Sequence, residues 1–309
     1  MAAFTQPTPE ELEAFVQANG LAKPEKFQTV EAGSVNSNFS LVCGGRRFFL
    51  RIFEEQGKDG AAAEIVRIRT ISARGVPTPA AVGQGTLAGK PAALFPWVEG
   101  DISCQRAVTP ARARALGEAL ARVHLAGADL PASPNRFDAA ALRARLDRVP
   151  ASYPVDRLRT ALDATEAARD RGIPTGFVHG DLFRDNVLWT APDSDRIAAL
   201  LDFESASHGP LAFDVAVTLL AWCYGDAFDR ASARALVAGY DAARPTSPAE
   251  KRALYTESLF AAIRFTITRI TDYAMRGGEN RVMKDWRRFL ARLDALEAMG
   301  PSGFAVLIT

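Results

Sequence analysis

Val178-His179-Gly180-Asp181-Leu182-Phe183-Arg184-Asp185-Asn186-Val187-Leu188, followed after a short gap by Ala199-Leu200-Leu201-Asp202-Phe203-Glu204, decides the reading of this 309-residue chain. The first stretch holds the frame His-x-Asp-x4-Asn. The second is an apolar strand that ends in an aspartate. Moving a phosphoryl group from a nucleotide to a hydroxyl asks for three groups: a carboxylate to accept the hydroxyl proton, an amide or carboxylate oxygen on one side of a magnesium ion, and a second carboxylate on the other. Asp181 is the candidate base, and Asn186 and Asp202 are the candidate metal ligands. His179 reads as a brace for the loop. A lone His-x-Asp would pass for a polar turn. The fixed joint spacing, with apolar strands on both sides, argues for chemistry.

Outward from this segment the texture divides the chain. Residues 9–18 read as a helix opened by Pro9 and two glutamates. Runs at 27–30, 39–42 and 47–53 are rich in Phe, Val, Leu and Ile and are separated by turn residues, which predicts an antiparallel meander. A helix over 60–74 and short strands near 81–83 and 92–97 follow, then a connector at 98–101. The rest reads as helices at 110–126, 137–148 and 155–171, a compact β segment at 176–179, 186–189 and 197–203, and helices at 212–223, 230–241, 248–273 and 282–298. Strands first and helices afterwards predict an α+β fold, not a doubly wound sheet.

Composition narrows the function classes. The 37 Lys+Arg and 36 Asp+Glu leave a net charge of +1, which argues against a broad grip on nucleic acid or an anionic membrane. With 48% hydrophobic residues and 24% charged, a large core is within reach without staples. Cys43, Cys104 and Cys223 form neither a disulfide framework nor a metal motif, and three scattered histidines do not suit a zinc site. The N-terminal residues lack the basic and apolar regions of a signal peptide, and no uncharged apolar stretch reaches spanning length. A cytoplasmic protein is expected.

The segment from His179 to Asn186, with Leu201-Asp202-Phe203-Glu204, resembles the Brenner-type motif of the aminoglycoside phosphotransferase and choline kinase superfamily, relatives of protein kinases. The order of elements is similar across essentially the whole chain. The resemblance implies an ATP- and Mg2+-dependent phosphotransferase with a bilobal protein-kinase-like fold. A small nucleotide-binding lobe would span 1–97. A larger helical lobe over 98–309 would carry the catalytic and metal-binding loops and the acceptor site. Gly209-Pro210-Leu211-Ala212-Phe213-Asp214 is similar to the segment after the metal aspartate, which implies that Asp214 buttresses the catalytic loop; a helix cap is the plain alternative.

In the small lobe the turn with Gly33, Ser34, Asn36, Ser37 and Asn38 can bring backbone N–H groups to phosphate oxygens. Gly85 to Lys90 is not a P-loop, being one residue short and followed by Pro91. Arg51 stands among apolar residues where the superfamily usually has a phosphate-touching lysine; arginine is longer and forked. Glu64 shares a helical face with Ile68 and Ile71 and is its natural partner, unless both are surface charges. Phe95 and Trp97 would offer adenine an apolar slot, and read equally as core.

Segments outside the common motif resemble one branch, the bacterial homoserine kinases of the threonine pathway. They are 116–126, 217–224, Gly239-Tyr240 with Arg244-Pro245, and Arg264-Phe265 through Thr268-Arg269 to Asp272. Arg51, Glu64 and Gly180 depart from that branch, which commonly lacks the first two and carries Ala at the third. The branch implies a small acceptor, L-homoserine or a similar amino alcohol. Arg264 and Arg269 are candidates for its carboxylate, with structural pairing as the alternative, and Glu204 for its ammonium. His124 reads as a core histidine. Another small hydroxyl acceptor, such as a sugar or an antibiotic, is the alternative within the same fold.

Overall fold

The computed structural model describes residues 4–30, 35–275 and 284–309. They fall into two compact units, Met1–Glu99 and Gly100–Thr309.

The first unit opens with helix α1 (Pro9–Ala18), started by a capping box between Thr8 and Glu11. Strands β1 (Pro24–Thr29), β2 (Ser37–Cys43) and β3 (Arg46–Ile52) form the expected meander. Helix α2 (Lys58–Ala73) precedes β4 (Gly83–Leu87) and β5 (Lys90–Pro96). The sheet order is β1-β2-β3-β5-β4, with every neighbouring pair antiparallel. Phe39, Leu41, Phe48, Leu50, Ile52 and Leu94 cover one face and pack with Leu12, Phe15 and Val16 of α1. The strand expected near 81–83 lies at Gly83–Leu87. It is an edge strand with three consecutive exposed residues, so no apolar alternation marks it. Gly85 to Lys90 belongs to the β4–β5 hairpin, turned by Ala88 and Gly89 at φ 48° and 76°.

The second unit begins with β6 (Asp101–Ile102) and helices α3 (Pro110–Ala126), α4 (Ala139–Leu146) and α5 (Val155–Ala168). Strands β7 (Thr175–Val178), β8 (Val187–Trp189), β9 (Ile197–Leu200) and β10 (Ser207–Pro210) follow. Helices α6 (Leu211–Trp222), α7 (Arg230–Ala243), α8 (Pro248–Arg269) and α9 (Arg287–Ile308) complete the chain, with a π turn at Ile270–Ala274 and a break in α9 at Gly300–Pro301. Two small sheets stand where the sequence pattern suggests one compact β segment: β7 pairs with β10, and β8 lies between β6 and β9. β10, Ser-His-Gly-Pro, has no apolar alternation to announce it. All of α6 is buried. Its last carbonyls are met by Arg292 of α9, whose Nε donates to Leu220 O at 2.9 Å.

One close approach in this unit sets up the site. A Cβ on Gly117 of α3 would lie 2.1 Å from the Leu236 carbonyl oxygen of α7, and one on Gly239 would lie 2.2 Å from that of Arg114. Only glycine lets these two backbones touch. Their contact brings Tyr240 of α7 against His124 of α3, with the Tyr240 hydroxyl 2.6 Å from His124 Nδ1.

Candidate active site

The loop between β7 and β8 carries Asp181, and most of its polar backbone atoms have a named partner. Asp214, in the first turn of α6, is fully buried and accepts three N–H groups. They come from the His179 amide at 2.6 Å, the Gly180 amide at 2.8 Å and His124 Nε2 at 3.0 Å. Burial opposes its charge, yet the His124 contact and the Gly180 N–H hold Asp214 below the usual carboxylate range. Asp214 thus joins the His179-Gly180 backbone to the α3 histidine.

His179 is also fully buried. The Asp181 amide donates to its Nδ1 at 3.3 Å, so the ring proton sits on Nε2 and is donated to the Leu201 carbonyl at 3.0 Å. Burial keeps the imidazole below its ordinary pKa, hence neutral and locked in that tautomer. It ties the loop to the residue before Asp202. Gly180 needs its hydrogen side chain: φ is 74°, and a Cβ would lie 2.9 Å from the Ser205 carbonyl oxygen.

Asn186 donates from Nδ2 to the Asp181 carbonyl at 2.8 Å. That bond fixes the orientation of the amide and leaves Oδ1 as the acceptor of this side chain. The Leu201 amide donates to the Asn186 carbonyl at 2.9 Å, so the two ends of the β8–β9 hairpin are fastened together. Asp202 follows in the left-handed region at φ 62°, ψ 68°, a conformation that costs a non-glycine residue about 1–2 kcal/mol. Burial pushes the Asp181 carboxyl up to about 7; the charges of Asp202 and Asp185 add to the rise, and those of Arg264 and Lys284 oppose it. Such a group is tuned to accept a proton near neutrality.

Arg264 of α8 is buried and donates from Nη1 to the Gly180 carbonyl. Its guanidinium lies 4.2 Å from the Phe137 ring centre and 4.3 Å from that of Phe265. Glu204 accepts from Arg136 Nη2 at 3.1 Å. Arg269 lies 4.4 Å over the Phe289 ring. The structure thus gathers Asp181, Asn186, Asp202, His179, Asp214 and Arg264 around one loop.

In the first unit, Asn36, Ser37 and Asn38 are buried at the start of β2. Asn36 Oδ1 accepts the Glu54 amide at 3.1 Å, Ser37 Oγ donates to the Glu54 carboxylate, and Asn38 Oδ1 accepts from Arg51 Nε at 3.4 Å. Arg51 Nη1 lies 3.6 Å from Glu64 Oε1, with both side chains largely buried, so the pair is internal. Phe49 stands between Phe95 and Trp97, at 6.4 and 6.5 Å between ring centres. Arg47 covers Trp97 at 3.6 Å. Gly33 and Ser34 lie outside the described residues.

His124, Tyr240, Arg136 and Lys284 belong to this neighbourhood and were not singled out for it by the sequence pattern. His124 is the core histidine its helix face suggests. It also links Tyr240 to Asp214, which a titratable group on an apolar face can signal.

A model of the phosphotransferase enzyme family matches residues 26–246. The chain belongs to that family. A homoserine kinase of Caulobacter sp. (strain K31) is 37% identical over 297 residues, covering 88% of this chain and 89% of that one. A homoserine kinase of Methylocella silvestris is 32% identical and covers 97% of each chain. Among solved structures, a thermostable mutant of aminoglycoside phosphotransferase APH(4)-Ia, in a ternary complex with ADP and hygromycin B, is similar with a TM-score of 0.65 at 17% identity, covering 94% of this chain and 99% of that one. This phosphotransferase is therefore a kinase with a protein-kinase-like fold, an antiparallel sheet followed by a mostly helical region, and the family implies that it uses a nucleotide. Among its described residues no helix is long and apolar enough to cross a membrane.

Proposed function

We propose that this phosphotransferase moves the γ-phosphate of ATP to the side-chain hydroxyl of L-homoserine, as a step of threonine biosynthesis in the cytoplasm. The observation that carries the acceptor is the run of relatives named homoserine kinase, similar along nearly their whole length. The loop geometry supports the reaction. Asp181 takes the hydroxyl proton, with its backbone held by His179 and Asn186. Asp214 and Arg264 hold the peptide before it from both sides, through the Gly180 N–H and carbonyl.

The donor set fits magnesium. Asn186 Oδ1 and the Asp202 carboxylate are hard oxygen ligands, and few protein ligands are what a magnesium ion shared with phosphates needs. Among the described residues no group of three His, Cys, Asp or Glu side chains forms a closed metal cage. When bound, the ion would neutralise charge on the phosphate oxygens. In the small unit, Arg51 held by Glu64, the described polar residues Asn36, Ser37 and Asn38, and Phe95 with Trp97 would serve the nucleotide.

Two experiments test this reading. In a coupled ADP-release assay, L-homoserine should exceed L-serine, choline and an aminoglycoside in kcat/KM. Choline lacks the carboxylate, and buried groups left unpaired reject it by several kcal/mol. Serine is one methylene short, which costs about 1–3 kcal/mol in binding, and its hydroxyl is also misplaced. A win by choline or the aminoglycoside leaves only the kinase standing. For Arg51, the Lys variant should keep part of the activity, because a point charge still reaches a phosphate. Arg51→Ala should raise the ATP KM and lower kcat together. If both variants behave as wild type, Arg51 has no part in nucleotide binding.

A further inference from the structure

Arg269 ends α8 with no carboxylate at ion-pair distance among the described residues. It donates from Nη1 to the Asp285 carbonyl at 3.0 Å. Its guanidinium lies 4.4 Å over the Phe289 ring and 6.0 Å from that of Phe183. Phe183 is two residues beyond Asp181 on the catalytic loop, so Arg269 stands against the wall that carries the base. Its other donors have no acceptor on the described protein.

The surroundings are cationic. Lys284 Nζ lies 3.7 Å from Asp185 Oδ2 and 5.7 Å over the Tyr273 ring. Arg288 is on the first turn of α9. Burial, then the like charge of Arg288, draw Arg269 down to about 10; Tyr273, Asp181 and Asp185 pull the other way. The nearby Arg184 and Arg292 are committed elsewhere, to Gln105 Oε1 and the Ala221 carbonyl, and to the carbonyls that end α6. A mostly buried guanidinium with no carboxylate at ion-pair distance gains from an arriving anion, and its fork matches a carboxylate.

Of the three acceptor candidates, Arg264 is engaged with the loop carbonyl and Glu204 with Arg136. Arg264 also has an unpartnered Nε, but it is buried against the Phe137 and Phe265 rings, whereas Arg269 is partly exposed and keeps donors that a ligand can reach. We propose that Arg269, supported by Lys284, forms the subsite for the acceptor's α-carboxylate, so that the enzyme selects hydroxy amino acids over amino alcohols of the same length. The inference rests on the homoserine reading, whose acceptor carries the hydroxyl and the carboxylate at opposite ends.

The test compares kcat/KM for L-homoserine and for 3-aminopropan-1-ol, the same molecule without its carboxylate, in wild type, Arg269→Met, Arg269→Lys and Lys284→Met. Wild type should prefer L-homoserine. In Arg269→Met that preference should fall about 100-fold, the scale of removing one partner of a desolvated charge pair. Lys284→Met should reduce it about tenfold, and Arg269→Lys should recover part of it. Circular dichroism confirms folding, and Lys284→Met carries the test if Arg269→Met does not fold. A preference unchanged in the variants, with both acceptors slowed alike, overturns the subsite and leaves the homoserine reading intact. Wild-type enzyme that ignores L-homoserine overturns both.

Discussion

Asp181→Asn should give a protein that still binds ATP but turns over at least about 10²–10⁴-fold more slowly, the usual scale for loss of a general base. Asparagine keeps the shape and cannot take a proton. The bonds that hold the loop run through backbone atoms or through other side chains: the residue 181 amide to His179 Nδ1, its carbonyl to Asn186 Nδ2, and the Gly180 peptide to Asp214 and Arg264. None uses the carboxylate of Asp181, so the geometry should survive. Burial already makes its charged form costly, to the extent that the group titrates at about 7. The neutral amide should therefore not lower the melting temperature. Coupled ADP release measures turnover, and calorimetry measures ATP affinity. A variant that keeps near-wild-type kcat removes Asp181 from the role of base.

The second large effect concerns Asp202. Asp202→Ala should lose turnover together with the magnesium-dependent part of ATP affinity, because a cation shared with the phosphates loses a carboxylate. Calorimetry with and without magnesium reads this directly. If adding magnesium still tightens ATP binding as in wild type, Asp202 is not a ligand. The variant keeps the left-handed backbone at φ 62°, a conformation that alanine tolerates poorly, so its melting temperature should be measured alongside.

The elements that could be read from the sequence are those whose signals are local. α1 runs from Pro9 to Ala18 as expected, because Thr8, Pro9 and Glu11 mark its start within a few residues. The β2–β3 meander shows in its Phe and Leu alternation and in Gly44-Gly45 between the strands. β4 lies a few residues later than expected and β10 escaped, because the first is mostly exposed and the second holds Gly and Pro, leaving no apolar period. The same division holds in the site. Asp181, Asn186 and Asp202 lie close in sequence and announce themselves by spacing. The tie from His124 to Asp214 spans 90 residues, and the partner of Arg264 is a backbone carbonyl. No side-chain pattern advertises a carbonyl acceptor. Lys284 follows a stretch without periodicity, and only the fold sets it beside Asp185.

The long reach of those ties also bears on when the enzyme becomes competent as it is made. A chain emerging N-terminus first delivers residues 179–186 well before Asp214, Tyr240 and Arg264. Until α6 is in place, the amides of His179 and Gly180 lack their acceptor. Until α7 packs on α3, Tyr240 cannot reach His124. The Gly180 carbonyl waits for a guanidinium 84 residues downstream. A nascent chain holding all of residues 179–202 but halted before α8 would thus carry the candidate groups without the scaffold that holds their loop. Competence arrives late in synthesis, with the docking of a helix that contains none of the motif.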